Sequence, residues 1–191
     1  MMNNYTQFTV GVTDNVTMGT GVTIIQPCNM YGCTLGDNCF VGPFTEIQKG
    51  VVIGNNCKVQ SHSFICELVS IGDNCFIGHG VMFINDAFTE GGPARGNKNL
   101  WKATKIGNNV SIGSNATILP VTICDDAVIG AGSVVTKNII QPGIYAGNPA
   151  RFIKPLPANM PQTGRKREEK GGIGRKKEDR GGEIGTFKNR K

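Results

Sequence analysis

From Ile53 to Phe83 an apolar residue returns at every sixth position: Ile53, Val59, Ile65, Ile71, Ile77 and Phe83. Gly often follows it, and the fifth place is small throughout, with Cys57, Ser63, Val69, Cys75 and Val81. A period of six matches neither a helix face, at about 3.6, nor plain strand alternation, at about 2. It matches a solenoid in which each hexad is one short flat strand and a corner, with three hexads closing a triangular coil. The first side chain of each hexad then points inward, and Gly or Asn eases the backbone through the turn. The pattern predicts an all-β fold, a left-handed parallel β-helix of hexapeptide repeats.

The first positions run Met18, Ile24, Met30, Leu35, Val41, Ile47, Ile53, Val59, Ile65, Ile71, Ile77 and Phe83, then Ile106, Ile112, Ile118, Ile123, Ile129 and Val135. Eighteen hexads make six coils. The steps from Met30 to Leu35 and from Ile118 to Ile123 are five residues long, so each must tighten a corner. Val10, Val12 and Val16 suit a first strand or cap. Residues 86–105 break the period with Gly91, Gly92, Pro93 and Gly96. So long an excursion in a compact solenoid points to function. Residues 137–157 leave the coil and cap it, which closes a folded domain at 1–157. Residues 158–191 are Pro, Gly and charge with little to bury, and are expected to stay disordered.

Charge divides the chain at the same place. Residues 1–163 hold nine Lys/Arg and nine Asp/Glu, whereas 164–191 hold eleven and five, so the net charge of +6 belongs to the tail. The seven Cys form no Cys-x-x-Cys pair. Cys28, Cys39, Cys57 and Cys75 all fill the small fifth place, as buried apolar groups. Neither disulfides nor a metal site is expected. The first residues carry no basic region and no apolar run, so neither a secretion signal nor a membrane span is expected, and the cytoplasm follows by default.

Residues eighteen apart occupy the same place on successive coils, ~4.8 Å apart. Lys49, Glu67 and Asn85 fall in one column. Ser61 and His79 fall in another, with His62 beside it. A carboxylate and an amide stacked where a long loop departs can hold an amine. Asn85 also has a plain reading as a corner residue, the use made of Asn55, Asn74 and Asn108.

The hexads, Ile129-Gly-Ala-Gly-Ser-Val-Val135 and Tyr145-Ala-Gly-Asn-Pro-Ala-Arg151 together resemble the hexapeptide-repeat acyltransferases. More narrowly, His62-Ser-Phe-Ile-Cys-Glu67 and Gly78-His-Gly-Val-Met-Phe-Ile-Asn-Asp86 are similar to enzymes that acetylate the 3-amino group of nucleotide-linked sugars. The type is UDP-2-acetamido-3-amino-2,3-dideoxyglucuronate N-acetyltransferase of lipopolysaccharide O-antigen synthesis. The resemblance covers about residues 10–157. It implies a homotrimer, acetyl-CoA as co-substrate and a nucleotide-linked amino sugar as partner, with neither membrane nor nucleic acid expected to bind.

It further implies that Asn85, with Glu67 or Asp86, orients the amine for direct attack on the thioester. His62 or His79 as general base is the competing version, suited to an alcohol acceptor. A covalent acyl group on Cys66 is less favoured, because no activating partner is marked. The pantetheine arm of CoA is expected against Gly113, Ala131 and Gly132, and its phosphates near Lys137, Arg151 and Lys154. Arg95, Lys98, Trp101 and Lys102 of the excursion are expected to meet the sugar. Outside this family, a scaffold with a basic binding tail remains open. A γ-type carbonic anhydrase needs three His ligands, and the chain has two His.

Overall fold

A computed structural model describes residues 11–157 apart from Asp14, so the charged segment 158–191 lies outside the described residues. Eighteen strands of two or three residues end one by one at the eighteen apolar positions of the hexad register, from Met18 to Val135. Each pairs in parallel with the third strand before it and the third after it, which wraps the chain into three sheets. The first sheet holds the strands ending at Met18, Leu35, Ile53, Ile71, Ile106 and Ile123. The second holds those ending at Ile24, Val41, Val59, Ile77, Ile112 and Ile129. The third holds those ending at Met30, Ile47, Ile65, Phe83, Ile118 and Val135. The short steps are absorbed without loss of register: Thr17 pairs with Thr34, seventeen residues on, where Phe40 pairs with Lys58.

The stack is taller than six coils. Val12 bridges to Met30 and Ile139 to Ile123, and Gly143–Ala146 adds a parallel strand beyond Ala127–Ile129. A seventh coil is thus divided between the two ends. Its C-terminal part escapes the hexad count because Ile139 follows Val135 by four residues. The chain then folds back as the antiparallel strand Arg151–Lys154.

The side chain that ends each strand points into the prism. Met30, Val41, Ile47, Ile65, Ile77, Phe83, Ile112 and Ile118 are fully buried. Cys28, Cys39, Cys57 and Cys75 are buried in the fifth places, and the Cys57 thiol donates to the Gly72 carbonyl at 3.1 Å. All seven cysteines are free thiols.

The corner between the first and second sheets is built from asparagine. Asn38, Asn56, Asn74, Asn109 and Asp126 all have φ between 55° and 59°, a left-handed conformation that Asn and Asp tolerate best among residues with a Cβ. Their side chains form a ladder, with Asn56 donating to Asn74 at 3.1 Å and Asn109 to Asp126 at 3.0 Å. One place earlier, Asp73 accepts the Asn55 N–H at 2.6 Å and Asp125 the Asn108 N–H at 2.8 Å. The polar capacity of this corner is spent on the fold.

The excursion departs from the corner between the third and first sheets, after Phe83, and the strand Thr104–Ile106 rejoins directly on Val69–Ile71. Its neck is closed by Lys102 N–H to Asn85 O at 2.9 Å and Thr104 N–H to Leu68 O at 3.1 Å. Among the described residues no helix is long and apolar enough to cross a membrane.

Candidate active site

Eighteen-residue spacing brings Asn85 directly over Glu67. The Asn85 amide donates from Nδ2 to the Glu67 carbonyl at 3.2 Å, which leaves its Oδ1 without a partner among the described residues. The Glu67 carboxylate turns to the excursion instead and takes both of its bonds from Lys98 Nζ, at 2.7 and 2.8 Å. Lys98 stands on the short 3₁₀ turn Lys98–Leu100, with its ammonium 5.1 Å from the centre of the Trp101 ring. The ion pair is open to solvent on the lysine side, so its worth lies in aiming the loop more than in stability.

Asp86 is bonded within the excursion. Its carboxylate accepts the Phe88 N–H at 3.0 Å and the Ala94 N–H at 2.6 Å, and so staples the first half of the excursion. Arg95 and Lys102 are exposed on the same loop. Below Glu67, Gln48 accepts the Glu67 N–H at 3.3 Å and donates to Glu46 at 2.8 Å. Lys49 is exposed one coil below Glu67.

The histidines stand at another corner, between the second and third sheets. Ser61 Oγ lies 2.9 Å from His79 Nδ1, which holds the ring and turns Nε2 outward. His62 rests on Phe44, ring centres 4.9 Å apart. Six residues separate His79 from Asn85 along one face, at most ~20 Å of strand. The five residues considered for catalysis therefore divide between two corners of one chain.

The residues expected to meet CoA divide as well. Gly113, Ala131 and Gly132 continue the histidine corner beyond His79. A Cβ on Gly113 would meet the Ala131 nitrogen at 2.4 Å, so only glycine lets the coils close up there. Lys137 lies at the excursion's corner, between Val135 and Ile139. With Arg151, Asn138, Tyr145 and Phe152 it lines a cleft of about 330 Å³ at the capped end. Lys154 is exposed on the last strand. These backbone edges and cations suit a long thin ligand with phosphates at one end. Among the described residues no three metal-ligating side chains converge.

Cys66 is buried, and that burial pushes its thiol up to about 12; burial likewise pushes Cys33 up to about 11. Such thiols ionise more readily once the chain unfolds. The stability they contribute is complete below pH 9 and is lost as the pH rises toward 12. Native protein at pH 8 should react with an aromatic disulfide reagent at half-buried Cys124 alone, and all seven thiols should react in denaturant. Rapid native labelling of Cys66 would restore the acyl-cysteine route.

The geometry defines a class, a parallel β-helix with polar sites at its corners, and comparison with known proteins names its repeat. Residues 32–67 match the family model described as bacterial transferase hexapeptide (six repeats). Residues 68–82 and 103–137 match the hexapeptide repeat of succinyl-transferase. Those stretches carry hexapeptide repeats like those of bacterial transferases. Over 52 residues, 27% of this chain and 29% of the relative, it is 54% identical to a probable macrolide acetyltransferase of Lysinibacillus sphaericus. It is 56% identical to galactoside O-acetyltransferase of Escherichia coli (strain K12) over 52 residues, 27% and 26% of the two chains. The chain thus spans less than a third of the length of these curated relatives.

Among solved structures, an AntD variant, an N-acyltransferase from Bacillus cereus in complex with dTDP and coenzyme A, superposes with a TM-score of 0.64. The identity is 23%, over 73% of this chain and 83% of that one. A maltose O-acetyltransferase from Clostridium difficile 630 superposes at 0.50 with 27% identity, over 74% and 70%. The first likeness is one of fold.

Proposed function

We propose that this chain is an acetyl-CoA-dependent N-acetyltransferase that acetylates the 3-amino group of a nucleotide-linked sugar. The acceptor we favour is UDP-2-acetamido-3-amino-2,3-dideoxyglucuronate or a close analogue, for lipopolysaccharide O-antigen. The observation that carries the reading is the Asn85 amide, tied down through Nδ2 so that Oδ1 faces outward as an acceptor. An amine needs such an acceptor to align its lone pair, whereas an alcohol needs a base to remove its proton. Acetyltransferases among the relatives, and an N-acyltransferase with dTDP and coenzyme A among the structures of like fold, support the class of reaction.

In the reaction, Oδ1 of Asn85 accepts one N–H of the neutral amine and turns the lone pair toward the thioester carbonyl. The N–C bond forms, a backbone N–H holds the oxyanion, and the C–S bond breaks. The departing thiolate takes the surplus amine proton. Glu67, held by Lys98, supports the loop and does not act as base. Lys137 and Arg151 meet the phosphates of CoA.

The functional protein is a homotrimer. Asn85 with its loop, and the Gly113–Ala131 edge, occupy different corners of one prism, so one copy's acceptor corner faces the other copy's cofactor edge. Light scattering should give three chains per particle, and dilution to monomer should abolish transfer. A monomer of full activity sinks the assembly.

A second reading follows from His79, whose Nε2 is free to act as base on a hydroxyl. Thiol release measured with UDP- and dTDP-linked 3-amino and 4-amino sugars, beside their hydroxyl counterparts, separates the two. Turnover with amino sugars alone supports N-acetylation. Turnover confined to hydroxyl acceptors transfers the chemistry to His79.

A further inference from the structure

The corner column of the second and third sheets holds residues at positive φ: Phe44 at 59°, His62 at 62°, Gly80 at 65°, Asn115 at 58° and Gly132 at 67°. Gly and Asn are the residues this conformation favours, and a bulky aromatic there is an outlier. Phe44 gains little burial in return, being 59% exposed. A strained, exposed aromatic that the fold does not use directs attention to what lies beside it.

Beside it is an open hollow of about 290 Å³ lined by Pro27, Cys28, Asn29, Phe44, Thr45 and Glu46. Phe44 supplies a flat wall, backed by His62 at 4.9 Å. The Asn29 amide has no side-chain partner among the described residues, and Glu46 stands on the strand Glu46–Ile47 paired with Asn29–Met30. The Thr45 hydroxyl is already spent on Gln60 O at 3.2 Å. One planar wall with an amide and a carboxylate at its edge suits a planar heterocycle with both N–H and C=O groups.

The distance to Asn85 suits the rest of such a ligand. Glu46 lies three residues along the strand from Lys49, ~10 Å, and Lys49 lies two coils below Asn85, another ~10 Å. Lys49 is an exposed cation at the bend of that path. Heterocycle, cation and amine-holding amide follow in the order of a base, a diphosphate and an amino sugar.

Building on the nucleotide-sugar reading above, we infer that Phe44, Asn29 and Glu46 form the nucleobase subsite of the acceptor, with Lys49 on its diphosphate. Glu46 accepts a ring N–H and Asn29 donates to the neighbouring carbonyl, an edge that uracil, thymine and guanine share. The base stacks on the face of Phe44 turned away from His62.

Calorimetric titration of the full chain with UDP, dTDP, GDP and inorganic pyrophosphate tests this. Phe44→Asn is the informative variant, since Asn is at ease at this φ and the coil keeps its fold, as an unchanged melting temperature checks. Nucleoside diphosphate affinity should fall ~10-fold or more, the scale of one lost stacking platform. Pyrophosphate and CoA affinities should hold. Lys49→Gln should weaken pyrophosphate and nucleoside diphosphates alike. If the wild type binds a nucleoside diphosphate and Phe44→Asn binds it equally well, the subsite is wrong while the nucleotide-sugar reading stands. If the wild type binds none of them but acetylates a free sugar, that reading and the subsite fall together.

Discussion

Asn85→Ala should lower kcat/KM for the amino sugar by ~10²-fold or more, the scale of losing a contact that aligns a reacting group. The side chain is half-buried, and its one bond, to the Glu67 carbonyl, serves to aim it. The coil should survive the change, because the corner backbone keeps its own bond from Lys102 N–H. CoA affinity should hold, since the expected cofactor edge belongs to later coils. His62→Asn and His79→Asn should each retain substantial activity, with a pH profile governed by the substrate amine. The opposite ranking, with a His variant down ~10³-fold and Asn85→Ala near wild type, would make a histidine the base and a hydroxyl the acceptor.

Phe83→Ala should destabilise the fold by ~3–5 kcal/mol, as removal of a buried aromatic does when its neighbours cannot collapse into the space. Phe83 is the largest fully buried side chain of the prism and is 0% exposed. The neighbouring coils are fixed by continuous backbone ladders, so little can move in to fill the void. Met82→Ala, on the same strand but facing outward at 40% exposure, should change stability by ~0.5 kcal/mol or less. Urea unfolding of both variants measures the contrast. Equal losses would mean that the inward–outward alternation has been misassigned.

The strands were legible in the sequence because the prism is so narrow. Each strand ends on one inward side chain, so every first place of a hexad announces itself as Ile, Val, Leu, Met or Phe, from Met18 to Val135. The columns were legible for the same reason, since register cannot slip by one residue without turning that side chain out. This sufficed to bring Asn85 over Glu67 and His79 beside Ser61.

The excursion was not legible in that way. Without a repeat, nothing in the order of residues says that Lys98 reaches back to Glu67 or that Asp86 caps Phe88 and Ala94. The family resemblance names Asp86 beside Asn85 but gives no direction for its side chain, whose bonds run into the excursion. The hollow at Phe44 did leave a trace: a phenylalanine in a column otherwise held by Gly, Asn and His. Its importance emerges only when the φ of that column is known.

The neck of the excursion carries a consequence for how such a protein can change. The chain leaves after Phe83 and returns with Ser70 opposite Lys105 and Ile71 opposite Ile106, the partners that a plain three-residue corner would have delivered. To the solenoid, the intervening residues are a cassette. They can be lengthened, shortened or exchanged while the coil above and below keeps its alignment, because no strand has to shift to accommodate them. Under the proposed reaction, acceptor preference can thus drift by loop replacement alone, leaving Asn85 and the prism in place.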